Sequence, residues 1–373
     1  MEQDGDPFAE KEIRGILSLS KIEEKQREEA TMGKKLYMDS DADLNLIKDM
    51  VIAVIGYGTQ GTARALNMKD SGLKVIVGAD KGHPDWERGK KDGFEVMSVE
   101  EAARKADIFE LQIPDMAYRC AKAYNEIIKP AAKDYHMVCL SSAMNYYYGH
   151  MNLPKGADAI VTAAKSPGSA VRTEFVAGSG VPALLAVHQD ASGKAWERGL
   201  AICKGMGFTR VGVQETTVEE ETVTDLLGEH CAWGAIVELL KKTFEVMVEA
   251  GYDPNVAFYE AVNESKLTTD LIYKFGLAGM LERISNTAAY GAMVIGPKVI
   301  DESVKNKIRW AMENIKNGGF DRDWKADYEK GYPNYTKLLN EAANHPADVV
   351  GNRIRKELGV LKEGDFSIKN PLK

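Results

Sequence analysis

One short stretch limits how this chain can fold more than any other. The apolar run Val51–Ile55 leads without a break into Gly56-Tyr57-Gly58-Thr59-Gln60-Gly61, and a helical stretch, Gly61–Asp70, follows. A glycine series of this spacing is weak evidence alone. It becomes strong when it ends a strand and opens a helix, because each glycine then has a task. Gly56 permits the tight turn, Gly58 lets the backbone approach a pyrophosphate, and Gly61 lets helix and strand pack closely. Backbone N–H groups of the turn, those of Tyr57, Thr59 and Gln60 among them, join the helix dipole to make a positive pole. The plain alternative is a glycine-rich turn that holds nothing.

The residues up to about Val211 repeat this alternation. Lys74–Val77, Ile108–Ile113, Met137–Leu140, Ala159–Ala163 and Val181–Val187 read as short buried strands, with helical stretches such as Ala117–Lys129 between them. Strands alternating with helices imply a doubly wound α/β sheet, parallel and covered on both faces. From about Glu215 the pattern changes to helix after helix: Thr222–Ala250, Pro254–Phe275, Glu302–Lys316 and Ala347–Leu358. Gly251 is a stop signal after the first of these, and Pro254 opens the next. The divisions are a surface extension over residues 1–35, a dinucleotide-binding domain over 36–214 and an all-helical domain over 215–373.

Composition removes several function classes. A formal net charge of −8 argues against a nucleic-acid surface, which needs clustered Lys and Arg. No apolar stretch reaches the roughly 18 residues of a membrane span. The extension is rich in Lys, Arg and Glu, with neither the apolar core of a secretory signal nor the acid-poor character of a transit peptide. Cys120, Cys139, Cys203 and Cys231 are scattered, as reduced thiols are in a cytoplasmic protein.

The end of the second strand bears on cofactor choice. Asp80 lies about 20 residues beyond the glycines, where a ribose-reading carboxylate is expected. The loop continues Lys81-Gly82-His83-Pro84-Asp85-Trp86. A 2′-phosphate wants an Arg or a donor-rich pocket, whereas a carboxylate accepts from a free 2′-hydroxyl and repels a phosphate. Asp80 and Asp85 outweigh Lys81, which favours NADH over NADPH.

The helical half holds two acidic pairs, Asp225 with Glu229 and Glu260 with Glu264. A spacing of four puts each pair on one helix face, where like charges destabilise. Apolar residues flank both pairs, and carboxylates in such a setting are costly unless paired or bound to metal. Four oxygen ligands suit two Mg²⁺ or Mn²⁺ ions. Spacing alone leaves the metal reading and a solvated face both open. The run Glu219–Glu221 has no such context and reads as solvated.

Longer segments are more specific. The run from Lys35 to Val77 and Ala65-Leu66-Asn67-Met68-Lys69-Asp70-Ser71-Gly72 resemble the opening of ketol-acid reductoisomerases. Pro114-Asp115, Ala164-Lys165-Ser166-Pro167-Gly168, Asp225-Leu226-Leu227-Gly228-Glu229, Glu264-Ser265-Lys266-Leu267 and Ile284-Ser285-Asn286-Thr287-Ala288 continue the likeness in order to about residue 357. The resemblance implies a Rossmann domain followed by the knotted all-helical domain of the short class, and a homodimer or higher homo-oligomer that completes each site. It implies metal ligation by Asp225 and Glu229 of one subunit with Glu260 and Glu264 of the other. Ser285 would hold the substrate carboxylate, Lys165 would lie near the metals and Pro114 would take part in cofactor binding. The implied reaction is a Mg²⁺-driven alkyl migration in a 2-acetohydroxy acid followed by hydride reduction to a 2,3-dihydroxy acid, within branched-chain amino acid biosynthesis.

This chain departs from the family around the pocket. The family's H-G-F-N stretch reads Ser142-Ala143-Met144-Asn145, and P-K-G-P-G-H reads Ala164-Lys165-Ser166-Pro167-Gly168-Ser169. The usual Gln after Glu229 is His230, a Cys-Gly-Gly patch becomes Gly234-Ala235-Ile236 beside Trp233, and an expected Glu is Ala289. Three readings follow: a working reductoisomerase with an unusual pocket, a relative that reduces a different 2-oxo acid or ketone without migration, and a non-catalytic dinucleotide-binding relic. His230 is either a new proton donor or a hydrogen-bonded structural side chain.

Overall fold

A computed structural model describes residues 35–113 and 118–361. The extension up to residue 34, and Pro114 with Asp115, lie outside the described residues. Among the described residues nine strands form one sheet: β1 Leu36–Tyr37, β2 Val51–Ile55, β3 Lys74–Gly78, β4 Glu95–Met97, β5 Ile108–Leu111, β6 Met137–Leu140, β7 Asp158–Ala164, β8 Ala183–Gln189 and β9 Val213–Glu215. Their spatial order is β1-β9-β8-β7-β6-β5-β2-β3-β4. The chain winds outward from β2 to β4, then returns to β5 on the other side of β2. The crevice beyond the carboxyl ends of β2 and β5 is therefore a topological switch point, where ligands bind in open α/β sheets.

Alternation along β2 builds the two faces. Ile52 and Val54 join a buried cluster with Ala63 and Met68 of the helix Thr59–Asp70. Ala53 and Ile55 join the opposite cluster with Ala102, Ala103 and Tyr124. Burial on both faces is what a central parallel strand requires. The sheet is nonetheless mixed, which corrects the expectation of parallel strands throughout. β8 runs antiparallel to β7, and β1 runs antiparallel to β9. The helix between β7 and β8, Gly168–Val176, docks on Thr59–Asp70 instead of carrying a crossover; Asn67 Nδ2 donates to the Val171 carbonyl at 3.0 Å.

The helical half begins with Val218–Leu227. The expected helix Thr222–Ala250 is a longer, interrupted one: Val218–Leu227, a π-helical turn Gly228–Trp233, and Gly234–Glu249. Gly251, at φ 90°, ends it, and Asp253 caps the next helix ahead of Pro254. That helix also carries a π turn, Tyr259–Asn263, before Ser265–Leu281, which is kinked at Gly276. Helices Asn286–Val299, Glu302–Lys316, Gly319–Glu329, Pro333–Ala343 and Pro346–Glu357 follow. Among the described residues no helix is long and apolar enough to cross a membrane. Cys120, Cys139 and Cys203 are buried, Cys231 is half-buried, and no disulfide links them.

Candidate active site

The glycine turn meets the requirements of a phosphate cradle. Gly56 has φ 90°, and a Cβ there would lie 2.7 Å from the backbone of Gln112 on the neighbouring strand's extension. A Cβ on Gly61 would sit 2.0 Å from the Gly56 carbonyl oxygen. At Gly58 nothing lies within 4 Å of that position, so the backbone there is open to an approaching group. Gly58 is the N-cap of Thr59–Asp70 and supplies no side-chain cap, which leaves the first N–H groups of the helix for an anion. Gly56, Gly58 and Thr59 line a cleft of about 580 Å³ together with Asp80, His83, Asp85, Arg88 and Arg119.

Two of the expected cofactor residues turn elsewhere. Gln60 donates its side-chain amide to the Ser166 carbonyl at 3.0 Å, tying the helix start to the Lys165 loop. Asp85 is only 7% exposed. One of its oxygens accepts the Tyr57 N–H at 2.7 Å and the other holds the Arg88 guanidinium. Asp85, expected to stand with Asp80 as a ribose-reading carboxylate, lines the same cleft, but each of its oxygens already has a partner inside the protein. Asp80 is exposed at the end of β3 and lines the cleft. His83 caps the helix Pro84–Lys91 by accepting the Asp85 N–H.

The acidic site forms where the two halves meet. Lys165, just after β7, places Nζ 2.8 Å from Asp225 Oδ1 and 3.8 Å from Glu221 Oε1. Glu221 is 1% exposed and accepts the Ala143 N–H at 2.8 Å. This overturns the reading of Glu219–Glu221 as a solvated run at Glu221 alone, since Glu219 and Glu220 are exposed. Three acids in the first turn of Val218–Leu227 look like surface dipole partners, yet the third turns inward beneath Lys165. Glu229 is half-buried on the first π turn; burial and the adjacent Asp225 charge push its carboxyl above the usual range, and Lys165 opposes them. Ser142 and Ala143 open the loop that Glu221 braces. His230 is half-buried, its ring 4.3 Å from that of Phe320, and burial holds it below the ordinary imidazole value.

Glu260 and Glu264 are exposed, as is Ser285, which caps Asn286–Val299 by accepting the Ala288 N–H at 3.2 Å. Among the described residues, no three His, Cys, Asp or Glu side chains of one chain converge to hold an ion. Within one chain Lys165 contacts Asp225 and Glu221, and Glu229 feels the charges of Asp225 and Lys165. Glu229 and Glu260 each lie on a π turn, a device concentrated at functional sites.

Comparison with known proteins shows the family of the chain. Residues 46–212 match the family described as acetohydroxy acid isomeroreductase, NADPH-binding domain, and residues 218–359 match the ketol-acid reductoisomerase C-terminal domain. The chain belongs to the ketol-acid reductoisomerase family. A ketol-acid reductoisomerase (NADP(+)) of Pyrobaculum aerophilum is 48% identical over 325 residues, covering 87% of this chain and 98% of the relative. One from Pyrococcus abyssi is 43% identical over 327 residues, covering 87% and 98%. Among solved structures, an NADH-preferring ketol-acid reductoisomerase from an uncultured archean aligns with a TM-score of 0.82 at 40% identity, covering 87% of this chain and 99% of that one. The chain is accordingly an NAD(P)H-dependent oxidoreductase of the reductoisomerase type.

Proposed function

We propose that this reductoisomerase works with NADH and two Mg²⁺ ions in a site completed by a second copy of the chain. The observation that carries the proposal is the half-assembled acidic site: Asp225 and Glu229 gather beside Lys165, while Glu260, Glu264 and Ser285 stay exposed in the same chain. The donors suit Mg²⁺, being hard oxygens with a raised carboxyl that a cation would relieve. Residues from 215 onward then form the metal, substrate and dimerisation domain. When bound, the ions supply Lewis-acid polarisation of the substrate's oxygens for migration and reduction. Lys165 orients the Asp225 carboxylate. Ser285 already accepts from the Ala288 N–H, so its hydroxyl proton is left to donate to a substrate carboxylate. Preference for NADH rests on Asp80 at the ribose position and agrees with the NADH-preferring relative.

The decisive measurement is NADH oxidation with Mg²⁺ on 2-acetolactate and, in parallel, on 3-hydroxy-3-methyl-2-oxobutyrate. Turnover of both is expected. Turnover of the second alone would mean that the changes at Ser142, Ser169 and His230 have cost the migration step. Silence on both would remove the proposed substrate.

A further inference from the structure

The helix that opens on the glycine turn carries a polar stripe. Gln60, Arg64 and Asn67 recur at the spacing that sets side chains on one face of a helix, and Arg64 and Asn67 are fully buried. Side chains of these types are seldom buried unless their polar groups find partners. All three find them along one stretch of chain. The Arg64 guanidinium donates to the hydroxyl and the carbonyl of Thr162, on β7. The Gln60 amide donates to the Ser166 carbonyl at 3.0 Å, and the Asn67 amide to the Val171 carbonyl. The stripe thus grips the chain on both sides of Lys165, at Thr162 before it and at Ser166 after it.

The contact is closest at the turn itself. A Cβ on Gly168 would lie 2.7 Å from both the Gln60 nitrogen and the Thr59 carbonyl carbon, so the Lys165 loop lies directly on the peptide joining those two residues. The Gln60 side chain is oriented at both ends. Arg64 has donors only, so the Gln60 oxygen faces its Nε at 3.5 Å, and the amide nitrogen is left for Ser166. From this anchorage Lys165 extends its Nζ to Asp225 and towards Glu221, across the meeting of the two halves. We propose that Gln60 is a positioning residue, whose amide fixes the loop that aims Lys165 at the acidic site. The helix that receives the pyrophosphate then also sets where the ammonium stands among the acids. This inference rests on the acidic site proposed above, but the link between Gln60 and Lys165 is measurable without it.

Gln60→Met keeps the length of the side chain and removes both hydrogen bonds, and Gln60→Asn keeps the amide but stops one methylene short. The probe is a water-soluble carbodiimide, which joins an amine to a carboxylate in contact with it as an amide, with loss of water. Applied to the full-length protein without added metal, it should link Lys165 to Asp225, 2.8 Å apart, and Lys133 to Asp107, 2.6 Å apart at the other end of β5. Peptide mass spectrometry reads both links. In each variant the Lys165–Asp225 yield should fall about fivefold relative to the Lys133–Asp107 yield, the worth of one hydrogen bond. An unchanged ratio in both variants would overturn the proposal. At saturating NADH and Mg²⁺, kcat on 2-acetolactate should fall about tenfold, the effect of a misplaced group. The dissociation constant for NADH should stay within about twofold, because such a turn meets a pyrophosphate with backbone N–H groups. Weakened NADH binding with kcat kept would mean that Gln60 serves the turn alone, which would also overturn the proposal. Silence of the unmodified protein on both substrates would remove the proposed substrate and leave the link ratio to decide the role of Gln60.

Discussion

The sheet half and the helical half solve the burial problem in opposite ways. On the sheet, each face has its own large cluster, and the central strands are covered by helices of the same chain. Beyond Val218 the largest buried cluster gathers around Phe244, Phe258 and Ile354, with a smaller one around Val223 and Ile315. The 17-residue helix Ser265–Leu281 buries none of its residues, although most of them are apolar; Tyr273 is 94% and Leu277 73% exposed. Trp310, Tyr290 and Met293 are exposed as well. An apolar surface of that kind is what the second copy proposed above would cover. The first half encloses its own core, and the second leaves a large apolar surface exposed. The candidate functional residues divide the same way: the glycine turn is formed within one chain, whereas Glu260, Glu264 and Ser285 stay exposed.

The largest effect should come from variants that test this division directly. Asp225→Asn and Glu264→Gln, purified separately, should each lose activity by about a hundredfold or more, as removal of groups that stabilise transition-state charge does. Co-expressed with different tags and isolated as the mixed dimer, they should recover about half the unmodified activity, because one of the two sites is then intact under two-fold symmetry. A mixed dimer as inactive as its parents would break the comparison, since the four carboxylates would then not be shared between chains.

A second test belongs to the self-contained half. Arg64 and Glu110 are both fully buried and joined at 2.6 Å, with Arg64 also donating to the Thr162 hydroxyl at 2.9 Å and to its carbonyl at 2.8 Å. Burial alone pushes the Glu110 carboxyl up, and Arg64 is the chief opposing influence. Arg64→Met should therefore strand a buried carboxyl and cost about 3–5 kcal/mol, whereas Arg64→Met with Glu110→Met should recover most of that loss. Urea midpoints would show it. The loss should not depend on protein concentration, because this core needs no second copy. A concentration-dependent loss would blur the contrast between the halves.

How much was readable in advance follows the same line. Between Val51 and Asp70 the strand, turn and helix are dictated locally, by an apolar run, three glycines and a helix former series, and the structure has them within two residues. Helix Glu302–Lys316 occupies the expected span. What escaped depends on partners remote in sequence. Apolar periodicity carries no strand direction, so β8 gave no sign of running antiparallel. β4 has only three residues and lies at the sheet edge. A π turn inserts a residue without changing composition, so the turns under Glu229 and Glu260 left no signature. Glu221 resembles its two surface neighbours, and its partner, the Ala143 N–H, is 78 residues away. Asp85 was legible as a carboxylate near the ribose, but its commitment to Tyr57 and Arg88 was not.

The smallest expected effect concerns pH and the rim of the sheet half. Asp158 opens β7 and is buried there; one of its oxygens accepts the Ala191 and Ser192 N–H groups at 2.8 and 3.0 Å. The other accepts the Ser192 and Tyr135 hydroxyls, each at 2.7 Å. Burial alone would raise this carboxyl, but these hydrogen bonds outweigh it and hold it below the ordinary value. A carboxylate depressed in the folded state stabilises the protein above the unfolded value of about 3.9, and that contribution is lost as pH falls through the folded value. Asp158→Asn should lower stability near neutral pH by on the order of 1 kcal/mol and flatten the acid limb below about pH 4. Amide exchange at Ala191 and Ser192 reads the same change locally. Since the contribution lies wholly within one chain, the acid limb should be the same at low and high protein concentration. An acid limb in Asp158→Asn as steep as in the unmodified protein would mean that acid loosens the molecule elsewhere.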